Sequence, residues 1–219
     1  MPVKDFMSKK VVYVSPDTTV AKATDIMREK RLRRLPVIEN DKLVGLVTEG
    51  TIAEATPSKA TSLSIYEMNY LLNKTKIRDV MIHDVITISK DAHLEDAIYL
   101  MMNHKIGVLP VVDEEQISGI ITDKDIFKAF LEVSGYGQEG MRLTIIVDDK
   151  IGILEQIIKA ISTESLNIRR ILVADRKSGK VRIEIQLSGK CDAKKLQQKL
   201  EEQGFEVRSI AETQRKEII

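Results

Sequence analysis

The chain contains two copies of one segment. Shifted along itself, Val3–Ala55 falls on Ile77–Ala129 without a gap, and 14 of the 53 aligned positions are identical. The identities include Asp5 and Asp79, Met7 and Met81, Asp17 and Asp91, Met27 and Met101, Pro36 and Pro110, Gly45 and Gly119, and Thr48 and Thr122. Many of the remaining positions are apolar in both copies. A repeat this long and gapless means one folding unit made twice, with each copy burying an apolar face that it cannot bury alone.

Each copy reads as β-α-β-β-α. "VVYV" and "VITI" are short β-rich runs. Helices follow, with Asp17 and Asp91 as the expected N-caps and Met27 and Met101 on their apolar faces. "LPVIENDKLVGLVT" and "LPVVDEEQISGIIT" are pairs of strands joined by a polar turn. "EGTIAEA" and "DKDIFKAFLEV" are closing helices. Between the copies, "PSKATS" reads as loop and "LSIYEMNYLLNK" as a connecting helix with an apolar stripe. The first domain is expected over residues 1–134, with one copy at 1–56, the connection at 57–76 and the second copy at 77–134.

Beyond Val133 the pattern changes. "SGYGQEG" has three glycines in seven residues and reads as a linker, placed at 135–140. Residues 141–211 then follow the order βαββαβ, a ferredoxin-like pattern. Its hairpin turns near "KSGK", and its second helix has Asp192 as N-cap and Gly204 as stop. Residues 212–219 read as a polar, loose tail. The fold class is therefore α/β of the α+β kind, in two domains.

Composition narrows the function classes. With 34 basic and 33 acidic residues among 219, the net charge is +1, so no bulk field draws the chain to nucleic acid or to a membrane surface. No apolar run approaches the length of a span, and the N-terminus lacks a signal peptide's apolar core. The single cysteine, Cys191, has no partner for an intrachain disulfide, which favours a cytoplasmic location. His83, His93 and His104 are scattered without ligand spacing, and no nucleophile–base pattern is present. No metal, cofactor or catalytic role is expected.

Each repeat resembles a CBS motif, on "LPVIENDKLVGLVTEGT" and "LPVVDEEQISGIITDKD" with the "SPDTTV"-type start before them. The pair resembles a Bateman module. Residues 141–211 resemble an ACT domain, on "DDKIGIL" and "LNIRRI". The order of the two is similar to the acetoin-utilisation B-type family.

The resemblance implies that "GIITDKD" binds the ribose of an adenine nucleotide. A carboxylate at Asp125 can accept hydrogen bonds from two neighbouring hydroxyls, and Thr122 stands at a helix start, where free N–H groups favour a phosphate. Val108, Pro110 and Ile86 are the candidate apolar contacts of the base. The same T-x-x-D also fits a capping box that binds nothing, and the two readings are compatible. The first copy keeps Thr48 but has Thr51 in place of the acid, so one competent ribose site and one weak or empty site are expected. The basic run "REKRLRRLP" suits either a solvated helix end or, at Arg33 and Arg34, the nucleotide phosphates. A nucleic-acid patch is disfavoured because few aromatics could stack bases.

In the third unit the resemblance implies an amino-acid effector held by Asp149, Gly152, Ile153, Asn167 and Ile168 across two paired units. Gly152 and Asn167 are expected to lie close together. The alternative is a plain βα turn on a surface that only pairs subunits. The function expected is non-catalytic: a regulatory homodimer that senses an adenine nucleotide of the AMP, ADP or ATP class and acts on a protein target. The rivals are an interaction protein with empty sites and a cyclic di-AMP sensor.

Overall fold

The computed structural model describes residues 1–56, 64–175, 179–189 and 191–217. "PSKATS" and the start of the "KSGK" turn fall outside them. The chain forms two compact units, Met1–Ile126 and Phe127–Ile219.

The first unit holds α1 (Val20–Lys30), β1 (Arg34–Glu39), β2 (Lys42–Thr48), α2 (Glu49–Ala55), α3 (Ile65–Lys74), α4 (Leu94–His104), β3 (Val108–Asp113) and β4 (Gln116–Thr122). The two hairpins are built alike. Each turns through two residues with positive φ, Asn40 and Asp41 at 51° and 62°, and Glu114 and Glu115 at 48° and 66°. Such turns match the right-handed twist of the flanking strands. The hairpins join in one sheet of order β1-β2-β4-β3, through the single pair Lys42–Gln116. On the first copy's side Val20, Ala23, Met27, Leu35, Val37, Val47 and Ile77 form the buried core. Burying each Val, Leu or Ile contributes roughly 1.5–3 kcal/mol.

Two expectations for these elements need correction. "VVYV" and "VITI" are not strands; each makes one parallel bridge, Val14 to Val37 and Ile88 to Val111. Val14 donates to Pro36 O and accepts from Ile38 N, and Ile88 does the same with Pro110 and Val112. Extending either ladder toward the N-terminus would need an N–H from Pro36 or Pro110, which proline lacks. Asp17 and Asp91 are not the N-caps either. Helix α1 is capped by Thr19, which accepts from Lys22 N, and α4 begins after His93. The two aspartates instead tie the copies together: Arg78 Nη2 donates to Asp17 Oδ1 and Lys4 Nζ to Asp91 Oδ1, both at 2.7 Å. Lys4 and Arg78 are equivalent under the repeat, so this is one contact made twice.

Helix α5 (Asp123–Ser134) begins in the first unit, and the division falls within it. The second unit continues with β5 (Gly140–Asp148), α6 (Ile153–Ser162), β6 (Asn167–Asp175), β7 (Lys180–Ser188), α7 (Ala193–Glu202) and β8 (Glu206–Thr213). The antiparallel sheet has the order β6-β7-β5-β8, the ferredoxin-like arrangement of βαββαβ. Alternate residues of β5 and β7, among them Leu143, Ile145, Ile183 and Ile185, pack against Ile157, Ile161, Leu196 and Leu200 of the helices. Asp192 caps α7 as expected, accepting from Lys194 N at 2.9 Å.

The glycine-rich stretch after α5 is not a free tether. Arg142 donates to Ser134 O at 3.0 Å, and the buried Gln186 donates to Thr213 Oγ1 at 2.8 Å. Thr213 in turn donates to Gln138 O at 2.8 Å. The expected loose tail is also partly ordered: β8 runs through Thr213, and Lys216 N donates to Gly137 O at 3.0 Å.

Candidate functional site

In both copies the motif glycine is a packing requirement. A Cβ on Gly119 would stand 2.6 Å from Met7 Sδ and 3.1 Å from Ser8 O, and one on Gly45 would stand 2.5 Å from Met81 Sδ and 3.0 Å from Ile82 O. The missing side chain lets the other copy's leading segment close on the strand. Ser8 then exchanges two backbone hydrogen bonds with Ile120, and Ile82 does the same with Leu46. Each copy's hairpin is thus roofed by the leading segment of the other copy.

Two equivalent clefts result. The first, of about 390 Å³, is lined by Ser8 and Lys10–Val12, by Arg31–Arg34, and by Val108, Ile120 and Thr122–Asp125. The second, of about 380 Å³, is lined by Ile82 and Asp84–Ile86, by Lys105–Val108, and by Arg33, Arg34, Leu46 and Thr48–Gly50. Both sizes suit a small ligand.

Thr122 and Asp125 meet at the start of α5. Asp125 Oδ2 accepts from Thr122 N at 2.8 Å and from Thr122 Oγ1 at 2.7 Å, while Asp125 N donates to Thr122 Oγ1 at 3.4 Å. This is a capping box, and all of its carboxylate bonds use one oxygen. Oδ1 takes no hydrogen bond among the described residues. In the first copy the same cap is made by Thr48 and Thr51. Thr51 Oγ1 accepts from Thr48 N at 3.0 Å and donates to Thr48 O at 3.1 Å. That single oxygen is committed to its own helix, so the second cleft has no acid at this position.

The sequence-predicted nucleotide residues divide between the clefts. Thr122, Asp125, Arg33, Arg34 and Val108 come together in the first. Ile86 and Thr48 belong to the second, and Pro110 lines neither; it is buried in β3, with its carbonyl bound to Ile88 N. The position equivalent to Ile86 in the first cleft is Val12, which sequence reasoning missed along with Ser8, Lys10, Arg31, Asp123 and Lys124. The exchange of leading segments explains the error: Ser8 and Ile82 bond the other copy's hairpin, so the residues that follow them, Val12 and Ile86, line the cleft beside that other hairpin.

The clefts differ in charge. The first has five basic lining residues, Lys10, Arg31, Arg33, Arg34 and Lys124, against Asp123 and Asp125. The second has Arg33, Arg34 and Lys105 against Glu49 and Asp84. Arg34 Nη1 reaches Gly107 O at 3.4 Å, so a basic residue of the first copy lies against the second. The first cleft thus combines a carboxylate oxygen able to accept from hydroxyls with guanidinium groups able to meet negative charge.

In the second unit the predicted effector residues do not gather. Gly152 caps α6 with φ of 84°, a conformation that favours glycine, and a Cβ there would meet nothing within 4 Å. Asp149 and Ile153 flank it. Asn167 pairs with Ser188, while Met141 pairs with Leu187 and Asp148 with Lys180. Asn167 and Ile168 are therefore level with the start of β5, and Gly152 follows its end. Over the eight residues from the level of Gly140 to Asp148, at roughly 3.3 Å each, the two lie about 26 Å apart along the sheet. The helix returns the chain before β6 begins, so the expectation that Gly152 and Asn167 are neighbours fails within one chain.

The comparisons with known proteins concern the repeat. The CBS domain family profile matches residues 3–58 and 77–132. Inosine-5′-monophosphate dehydrogenase of Methanocaldococcus jannaschii is 37% identical over 123 residues, and protein MJ1232 of that organism is 35% identical over 127. The matches cover 55% and 58% of this chain, which spans only 22% and 38% of the length of those two proteins. The CBS domain-containing protein YhcV of Bacillus subtilis is 31% identical over 124 residues, 57% of this chain and 81% of that one. Among solved structures, the acetoin utilization protein AcuB of Vibrio cholerae is 28% identical with a TM-score of 0.51, over 60% of this chain and 91% of that one. CBSX2, solved in complex with AMP, is 30% identical with a TM-score of 0.51, over 60% and 97%. On the two matched segments, equivalent in sequence and structure, the chain belongs to the CBS domain family.

Proposed function

We propose that the chain is a non-catalytic regulator whose CBS pair senses an adenine nucleotide in the first cleft. The observation that carries this reading is the division of labour in Asp125, whose Oδ2 caps α5 while Oδ1 faces no protein donor among the described residues. The clustering of Arg33 and Arg34 in the same cleft supports an anionic ligand. The likeness to CBSX2, solved with AMP, supports an adenine base. Dehydrogenase activity is not carried over from a relative of which this chain spans 22%.

Ligand occupancy would act by favouring one arrangement of the chain over another, and so change affinity for a protein target. The second unit, with its ferredoxin-like sheet order, is read as an ACT-type module that pairs with a second copy. A ligand touching both Gly152 and Asn167 would have to lie between two copies. Fully exposed Ile151, with Leu154 and Ile158 on the same helix flank, supports pairing there. Light scattering should give a dimer at micromolar concentration, and a monomer near 25 kDa would remove the pairing.

Thermal denaturation with AMP, ADP, ATP and cyclic di-AMP tests the sensor reading. A nucleotide at 100 times its Kd adds about 2.7 kcal/mol. That raises Tm by roughly 2–4 °C per kcal/mol at this size. No shift with any of the four removes the reading, and a shift with cyclic di-AMP alone replaces it with the dinucleotide sensor. Titration of the full chain with leucine, isoleucine, valine and phenylalanine tests the effector role, which absence of heat from all four would remove.

A further inference from the structure

The two clefts share a wall. Arg33, Arg34 and Val108 line both. Arg34 and Val108 are equivalent positions of the repeat, so they face each other across its pseudo-twofold axis. One side of that axis carries a guanidinium and the other an apolar side chain. The Arg34 guanidinium rests against Gly107: Nη1 is 3.4 Å from Gly107 O, and Nη2 lies 3.1 Å from where a Cβ on Gly107 would stand. Asp123 Oδ2, from the first cleft, is 2.8 Å from that same point. The space left by the absent side chain is thus closed on by Asp123 of the first cleft and by Arg34, which lines both.

A guanidinium has five donors in a rigid plane, and a phosphate that takes its terminal Nη1/Nη2 fork bidentately holds that fork on its own side. Its only hydrogen bond among the described residues is the long one to Gly107 O, so it has donors to give to either cleft. The first cleft adds Lys10, Arg31 and Lys124, which the second lacks. A phosphate there is better compensated and draws Arg34 to its side. The second cleft is then left with Lys105 and the exposed Arg33 against Glu49 and Asp84, while a filled first cleft repels a second anion.

Building on the nucleotide reading of the first cleft, we propose that Arg34 couples the two clefts, so that a phosphorylated ligand in one weakens the binding of a second in the other. The chain then takes one phosphorylated nucleotide tightly, and the other cleft responds to whether the first is filled.

Calorimetry of the full chain with ADP tests this. The expected result is one ADP per chain, followed by a second step at least about tenfold weaker, the size of a like-charge repulsion across a short, partly hydrated distance. Arg34→Met should weaken the first step about tenfold or more, the loss of charge-assisted bonds, and leave the second step unchanged, so the two converge. Arg34→Lys, which keeps the charge without the fork, should narrow the gap and serves if the methionine variant does not fold. Two equal steps in the unaltered chain would overturn the proposal. So would a single step with no second binding at millimolar ADP, or a loss of equal size in both steps of the variant. Absence of ADP binding overturns the coupling for this ligand; only if AMP, ATP and cyclic di-AMP also fail to shift the melting temperature does the nucleotide reading itself fall, which is a separate result.

Discussion

Thr51 and Asp125 hold the same place in their helices, three residues after a capping threonine, and each accepts a hydrogen bond from that threonine's backbone N–H. Thr51 uses its only side-chain oxygen for this. Asp125 uses one of two. Substitutions at Asp125 can therefore separate the helix cap from the cleft. Asp125→Ala should lower stability by about 1 kcal/mol through loss of the cap. Asp125→Thr should keep the cap, because the first copy already makes it with threonine, and unfold within about 0.5 kcal/mol of the unaltered chain. Urea denaturation without ligand measures both, and equal losses would show that the cap is not what Asp125 supplies to the fold.

The glycines of the repeat divide in a similar way. A Cβ on Gly119 meets Met7 Sδ and the Ser8 carbonyl, the latter fixed by its bond from Ile120 N. Gly119→Ala should cost roughly 1–3 kcal/mol as overpacking of the roof over the first cleft. The nearest atoms to a Cβ on Gly107 belong to the ends of the Asp123 and Arg34 side chains, which can turn aside. Gly107→Ala should leave stability nearly unchanged but displace both tips and weaken nucleotide binding several-fold. Melting temperatures and ADP affinities of the two variants check this, and a stable Gly119→Ala would contradict the packing account.

The ion pair Lys4–Asp91 makes a pH prediction. The hydrogen bond from Lys4 holds the Asp91 carboxyl below the usual carboxylate range, and the Lys4 amine is raised in return. A carboxyl depressed on folding contributes stability that is present above its unfolded value, about 3.9, and lost as pH falls through the lower folded value. Both side chains are exposed, so the contribution is small. Carboxyl NMR should show the Asp91 titration moving upward in Lys4→Met; an unmoved titration would show that Lys4 is not the cause.

Much of this organisation is legible in the sequence, because a gapless repeat fixes the number of copies and their shared elements. The hairpins follow from apolar runs around polar turns, and the βαββαβ order of the second unit follows from alternation and helical spacing. Three things are not legible, each for a physical reason. "VVYV" looks like a strand by propensity, but Pro36 lacks the N–H that a second bridge would need. Ile86 is expected beside Thr122, yet it lies in the other cleft, because no local signal records which hairpin a leading segment covers. Gly152 and Asn167 resemble one motif in the chain, yet the intervening helix carries Asn167 to the far end of the sheet. The asymmetry between Thr51 and Asp125 is legible in the sequence, while the hydrogen bonds that explain it appear only in the folded chain.

The most direct test of the account is the ADP affinity of Asp125→Thr, measured by calorimetry beside the unaltered chain. The cap is retained in this variant and the second carboxylate oxygen is gone. The account predicts equal melting temperatures without ligand and a loss of affinity of roughly 10- to 150-fold, corresponding to charge-assisted bonds of about 1.5–3 kcal/mol. Unchanged affinity in a stably folded Asp125→Thr would contradict it, and would leave Asp125 as a helix cap alone.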